Sequence, residues 1–194
     1  MATVVVPFRA GGKSRLPADV RGDLALAMLG DVLEAALVHA GEVRLVTGDV
    51  AAVALALSLG VELVVDPGGG QGAAIEAALL GAERICLVVN ADLPCATPGA
   101  LGRLADLAPA LAAARDGTTN ALALPERTWF TPRYGEGSAA RFAASGLARV
   151  PVPELEHDVD TLDDLLGIER LALPLGRRTA LVLNQHKVIP VRAS

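Results

Sequence analysis

Across residues 1–107, short apolar runs alternate with segments whose apolar positions recur every three to four residues. Val4–Val6, Val43–Val46, Val61–Val65 and Ile85–Val89 read as strands, because each is short, β-branched and followed by Gly, Pro, Asp or Asn within a few positions. Gly22–Ala40 places Leu24, Ala27, Met28, Leu33 and Leu37 at helical spacing, and Val50–Leu59 and Gln71–Leu80 read as two further helices. Asp49 stands where the second helix needs an N-cap. Thr97-Pro98 forms an N-cap and N1 pair for a fourth helix, reaching about Leu107. Polar, glycine-bearing loops, Arg9–Pro17 and Asp66–Gly70, join strand to helix. This βαβαβαβ order implies a largely parallel sheet covered on both faces.

Beyond residue 115 the rhythm changes. Asn120–Leu124 reads as a strand, Glu126–Gly137 as a polar loop with the only Trp and the only Tyr, Ser138–Ser145 as a short helix and Ala148–Val152 as a strand. Thr161 is placed to cap a helix over Leu162–Leu171, with Asp164 at the N3 position of a capping-box-like pair. The end of the chain carries two β-like runs around Asn184–Lys187, so residues 177–194 are expected to form a hairpin or an arm on a partner subunit. With neither repeat nor linker, residues 1–194 read as a single domain.

Composition narrows the class. A length of 194 residues with 52% hydrophobic content excludes a disordered chain, and 3% aromatics makes the core aliphatic. No apolar run reaches the ~18–20 residues that span a bilayer. Met1–Val6 lacks a basic signal-peptide region, so a cytoplasmic protein is expected. A net charge of −5 argues against nucleic-acid binding by bulk electrostatics, though not against a small anion held by a local basic loop. Cys86, inside a strand-like run, and Cys95 read as reduced packing or loop thiols; they lack the partners of a zinc site.

Two acidic motifs far apart in sequence carry the candidate chemistry. Asn90-Ala91-Asp92-Leu93-Pro94 follows the fourth strand, and His157-Asp158-Val159-Asp160-Thr161 precedes the last predicted helix. A fold that joins them makes a divalent-metal site for polyphosphate chemistry, with Asp160 the firmer ligand and Asp158 its neighbour. The first loop holds Arg9, Lys13 and Arg15 among glycines, at the carboxyl end of a parallel strand where ligands bind in open α/β sheets. It is not a Walker A loop: Pro7 occupies the first-glycine position and has no amide hydrogen to offer. Gly68-Gly69-Gly70-Gln71-Gly72-Ala73 fits a dinucleotide fingerprint only weakly, since it follows the third strand, and reads better as a loop closing on a nucleotide base or ribose.

Six motifs in order resemble one family. These are Lys13-Ser14-Arg15-Leu16, Asp66-Pro67 with Ala74-Ile75, Asp92-Leu93-Pro94, Thr119-Asn120-Ala121-Leu122, Tyr134-Gly135-Glu136-Gly137-Ser138 and Asp158–Thr161. The chain resembles the phosphoenolpyruvate/2-phospho-L-lactate guanylyltransferases of deazaflavin coenzyme biosynthesis from Val4 to about Leu171. The resemblance implies a three-layer αβα nucleotidyltransferase (GT-A-like) fold with a mostly parallel mixed sheet. It also implies transfer of GMP from GTP to a three-carbon phospho-acid, with Mg2+ held by Asp92 and Asp160 and Asp158 nearby. Thr119, Gly135 and Ser138 would hold the phospho-acid; Arg9, Gly12, Lys13, Asp66, Gln71, Gly72 and Asn90 would bind the nucleotide. The family usually has Lys where Arg9 stands, Gly-Leu-Asn where Gly70-Gln71-Gly72 stands, and His near Phe142.

The residue inventory suits that reaction. An acceptor phosphate with a second pKa of ~6 is already largely dianionic at neutral pH, so no general base is required, and His39, His157 and His186 form no triad pattern. The task left is to bring two anions together, for which Lys13 and Arg15 are the candidate catalytic cations. The partners expected are GTP and the phospho-acid, with no nucleic acid and no membrane, and a homodimer as the assembly. Two other readings stay open: a nucleotidyltransferase for a molybdopterin or sugar phosphate, and a non-catalytic nucleotide-binding regulatory subunit.

Overall fold

The computed structural model describes residues 2–9 and 15–188. Gly12 and Lys13, both assigned to the nucleotide from sequence, lie outside those residues. Among the described residues, seven strands form one sheet in the order β3-β2-β1-β4-β6-β5-β7. They are β1 (Thr3–Pro7), β2 (Glu42–Thr47), β3 (Glu62–Val65), β4 (Cys86–Val89), β5 (Ala110–Ala113), β6 (Thr119–Leu124) and β7 (Ala148–Arg149). The first four are mutually parallel, β6 runs antiparallel to both β4 and β5, and β7 is parallel to β5. The sheet is therefore mixed, with parallel pairings in the majority.

Among the described residues, seven α-helices accompany it: α1 (Arg21–His39), α2 (Val50–Leu59), α3 (Gln71–Leu79), α4 (Pro98–Asp106), α5 (Ser138–Ala144), α6 (Leu162–Arg170) and α7 (Arg177–Gln185). The alternation of β1 sorts the layers. Val4 and Val6 pack with Leu29, Leu33, Ala52 and Leu101 of α1, α2 and α4, whereas Val5 packs with Ile75, Ala78 and Phe142 of α3 and α5. Both faces are covered by apolar side chains, which gives the αβα sandwich implied by the resemblance.

Strand order fixes where a ligand can bind. The chain leaves β1 for β2 on one side and later returns to β4 on the other. The helices on either side of that reversal diverge and open a crevice beyond the carboxyl ends of β1 and β4. Arg9 follows the first of these ends and Asp92 the second.

Two elements differ from the sequence reading. β5 was missed because Ala110–Ala113 is too alanine-rich to show a strand signal; it is an inner strand between β6 and β7. The expected hairpin or arm is replaced, over residues 177–185, by α7, which docks on α1 of the same chain. Its buried residues Thr179 and Leu183 are one helical turn apart, and Leu183 joins Leu24 and Met28 in a third cluster of core residues.

What starts α7 is a carboxylate on another helix. Asp31, 5% exposed on α1, accepts bonds from the amides of Arg178 and Thr179 and from the Thr179 hydroxyl, at 2.9, 2.9 and 2.6 Å. It does the work of an N-cap across the helix interface. Burial raises its pKa, and the bonds from Thr179 and Arg178 oppose that shift. Gly176 lies so close that any Cβ there would collide with the Asp31 carboxylate. Asp31→Ala is expected to uncap α7 and to cost about 1–2 kcal/mol, read as a lower midpoint in urea unfolding.

Candidate active site

The two acidic motifs meet. The amide of Val159 donates to the carbonyl of Asp92 at 3.1 Å, so the peptide between Asp158 and Asp160 is pinned to the end of β4. Val159 is fully buried among Leu24, Met28, Leu165 and Ile168. Its neighbours Asp158 and Asp160 stay only part-buried. One carboxylate oxygen from each of Asp92, Asp158 and Asp160 then lies within 4.8 Å of the others. Three hard oxygen donors at that separation fit a divalent cation of the magnesium or calcium kind, with places left for ligand oxygens.

Surrounding groups hold each acid in place. Asp164, in the first turn of α6, accepts from the amides of Asp160 and Thr161 and from the Thr161 hydroxyl, at 3.0, 2.8 and 2.8 Å. The Thr161 hydroxyl also receives the Asp164 amide, which completes the capping box. Burial is the largest single influence on Asp164 and raises its pKa; the bonds from Thr161 and the Asp160 amide together outweigh it and leave the pKa lowered. Asp164 is therefore ionised at neutral pH and anchors the Asp160 backbone. Asn120, 2% exposed in β6, donates its side-chain amide to Asp158 at 3.2 Å, and its carbonyl accepts the Asn90 amide at 2.9 Å. Asn120 appeared in the sequence only as part of a motif. Its signal was an amide side chain in an otherwise apolar strand, where a buried polar group needs a partner.

A cavity of about 470 Å3 opens beside the acids. Of the residues assigned from sequence, Arg9, Gln71, Asn90, Asp92 and Asp160 line it, joined by Arg21, Gly22 and Asp49, which were not assigned. Arg21 grips the Leu16 carbonyl through two guanidinium nitrogens, and Asp49 caps α2 through the Ala52 amide. An adjoining pocket of about 180 Å3 has Asp66 in its wall together with Arg9 and Gln71. Arg9 pairs with Asp66 at 2.8 Å, while the other Asp66 oxygen receives the Gly68 amide. Those two contacts, Arg9 first, hold the Asp66 pKa down. Gln71 donates to Asn90 at 2.9 Å, which ties the glycine-bearing loop to the end of β4. Arg15 meets Asp160 at 2.9 Å and so brings a cation onto the acidic cluster.

The remaining assignments fall elsewhere. The hydroxyls of Thr119 and Ser138 are 3.0 Å apart and face each other, at 2% and 0% exposure. They sit beneath the turn that carries the exposed Gly135, whose φ of 106° is glycine territory. Neither hydroxyl nor Gly135 lines either cavity. Gly72 lines neither cavity as well; a Cβ there would stand 2.6 Å from Cβ of Pro132, so it joins the glycine-bearing loop to the 130–138 loop by close packing. The two cysteines are buried, and burial pushes their thiols up to about 11 for Cys86 and about 12 for Cys95, which leaves them unreactive. Desolvation, aided by Arg115, lowers the His157 pKa, so this histidine is neutral beside the acids. Among the described residues, no helix is long and apolar enough to cross a membrane.

Residues 9–147 match the family model of the MobA-like NTP transferase domain. The fold is that of solved nucleotidyltransferases. A putative nucleotide-diphospho-sugar transferase from Desulfovibrio desulfuricans G20 superposes with a TM-score of 0.73 over 96% of each chain at 16% identity. A nucleotidyl transferase from Methanothermobacter superposes with a TM-score of 0.65 over 88% of this chain and 97% of that one, at 17% identity. The chain belongs to the MobA-like NTP transferases and is a nucleotidyltransferase. Within that class it belongs to the phosphoenolpyruvate guanylyltransferase family. It is 39% identical over 180 residues to the enzyme of that name from Geodermatophilus obscurus, covering 87% of this chain and 82% of the relative. It is likewise 39% identical over 205 residues to the one from Streptomyces scabiei, covering 92% and 94%.

The Gly72 contact makes a direct prediction. Gly72→Ala is expected to destabilise the protein by about 1–3 kcal/mol through overpacking against Pro132. Urea unfolding checks it, and a variant as stable as the parent would show that the two loops are not in firm contact.

Proposed function

We propose that this protein transfers GMP from GTP to phosphoenolpyruvate, or to the closely similar 2-phospho-L-lactate, in deazaflavin coenzyme biosynthesis. A phosphate oxygen of the acceptor attacks the α-phosphorus of GTP. The bond from that phosphorus to the bridging oxygen breaks, and pyrophosphate leaves with the electron pair. The observation that carries the reading is the meeting of Asp92, Asp158 and Asp160 within 4.8 Å at the crevice beyond β1 and β4, with Arg15 on the cluster.

Asp92 and Asp160, with Asp158 beside them, are the residues that would hold Mg2+. The ion, when bound, would supply positive charge that offsets the repulsion between the two phosphates. Arg15, with Lys13 from the same basic loop, offsets charge on the phosphates and the departing pyrophosphate. Arg9, Asp66, Gln71 and Asn90 form the wall on which the nucleoside is read. The Gly135 turn would hold the phospho-acid, and the buried Thr119–Ser138 hydroxyl pair assigned to that ligand would support the turn from beneath. No residue is asked to remove a proton, because the acceptor phosphate, with a second pKa of ~6, arrives ionised.

The test is pyrophosphate release from GTP with phosphoenolpyruvate, with 2-phospholactate and with no acceptor, each with and without Mg2+. Release is expected only with both a three-carbon phospho-acid and the metal; none with either acceptor would end this reading. Asp92→Asn and Asp160→Asn are each expected to cut turnover by about a hundredfold or more, on the scale of losing a principal transition-state charge contact, while the circular dichroism stays that of the parent. A fully active Asp160→Asn would remove the shared metal site.

A further inference from the structure

Arg141, on α5, is exposed, yet its guanidinium is engaged on all sides by a single loop. Nε and one terminal nitrogen donate to the Arg133 carbonyl at 3.1 and 2.9 Å, that terminal nitrogen also reaches the Tyr134 carbonyl at 3.1 Å, and the other reaches the Glu136 carbonyl at 2.6 Å. Among the described residues it forms no ion pair with a carboxylate. The loop bends over it through Gly135 and Gly137, with φ of 106° and 68°; a Cβ at either would lie 3.7 or 3.6 Å from the guanidinium nitrogens. From below, the same loop is fixed by Tyr134, whose ring meets Phe142 edge-on at 5.4 Å.

We propose that Arg141 is the positioning residue of the acceptor loop: by gathering the carbonyls of Arg133, Tyr134 and Glu136 it turns the loop's amide hydrogens toward the phospho-acid. In a planar trans peptide the C=O and the following N–H point in opposite directions. Three carbonyls drawn to one guanidinium therefore direct the N–H groups of Tyr134, Gly135 and Gly137 away from it, to the other face of the loop. Successive amides turned one way make a concavity that suits an anion. The charge of Arg141, not offset by a carboxylate among the described residues, lies behind those amides and adds to their field. Lysine is no substitute, because its single ammonium lacks the planar fan of donors that spans three carbonyls. This assignment rests on the proposed acceptor, since Gly135 and Ser138 flank the same turn.

The experiment compares Arg141→Lys and Arg141→Gln with the parent in the pyrophosphate assay, alongside calorimetric binding of phosphoenolpyruvate. Both variants are expected to raise KM for phosphoenolpyruvate about tenfold or more, the size of one lost charge-assisted hydrogen bond. KM for GTP should stay within about twofold, inside the usual spread for an untouched contact. A folded Arg141→Lys with the parent's KM for phosphoenolpyruvate overturns the proposal, as does an equal rise in both KM values. Should Arg141→Gln fail to fold, the lysine variant alone decides. If the parent itself shows no transfer from GTP, the functional reading fails separately, and Arg141 is judged by whether phosphoenolpyruvate binding weakens in Arg141→Lys.

Discussion

One backbone hydrogen bond, from the Val159 amide to the Asp92 carbonyl, joins the two halves of the site. It is short-range chemistry with a long-range consequence. Val159 is driven inward by its apolar neighbours, while Asp158 and Asp160 on either side of it stay only part-buried. With the peptide pinned to the end of β4, the two acids have nowhere to go except beside Asp92. Burial thus positions charge: an apolar residue between two carboxylates decides where both of them stand. The capping box of α6 acts on the same segment from the other end, since the Asp164 that caps the helix also holds the Asp160 amide.

The third cluster of core residues explains why a helix far along the chain matters to this arrangement. Leu24 and Met28 of α1, Val159, Leu165 and Ile168 around α6, and Leu183 of α7 form one cluster, and Cys95 from the segment after Asp92 belongs to it. Gly176, just before α7, donates its amide to the Pro94 carbonyl at 2.7 Å, two residues past Asp92. Asp31 fastens α7 to α1, and Arg21, Gly22 and Ala25 of that same α1 line the cavity. The wall of the crevice, the segment after β4 and the end of the chain are thereby parts of one packed unit.

Legibility in the sequence followed locality. The first four strands and their helices were readable because periodicity and turn chemistry agree over each segment. The α6 capping box was readable for the same reason, its parts lying within four residues. Asp92, Asp158 and Asp160 were identified as strand-end and loop acids, and the resemblance suggested that they share a site; their separation follows only from the fold. What was lost depended on distant partners. The helical start of α7 relies on Asp31, 148 positions before Thr179, and its β-like composition pointed the other way. Ala110–Ala113 becomes a strand by being flanked on both sides, which nothing in a run of three alanines and one leucine announces. The Thr119 and Ser138 hydroxyls were read as ligand donors, and the structure adds that they bond to each other inside the core.

The contacts around the crevice divide by exposure, and the division suits a site that must exchange partners. Arg9–Asp66 and Arg15–Asp160 are ion pairs whose arginines are 63% and 69% exposed. Exposed pairs of this kind contribute at most about 1 kcal/mol, so releasing either arginine to a phosphate group costs little. Thr119–Ser138 is buried and Asn120–Asp158 part-buried with Asn120 itself only 2% exposed, and breaking them would strand polar groups in the core. The cations can therefore move while the frame that orients the carboxylates and the acceptor turn stays fixed. That is the arrangement a polyphosphate substrate requires, since its charge must be met on arrival and given up again with the leaving group.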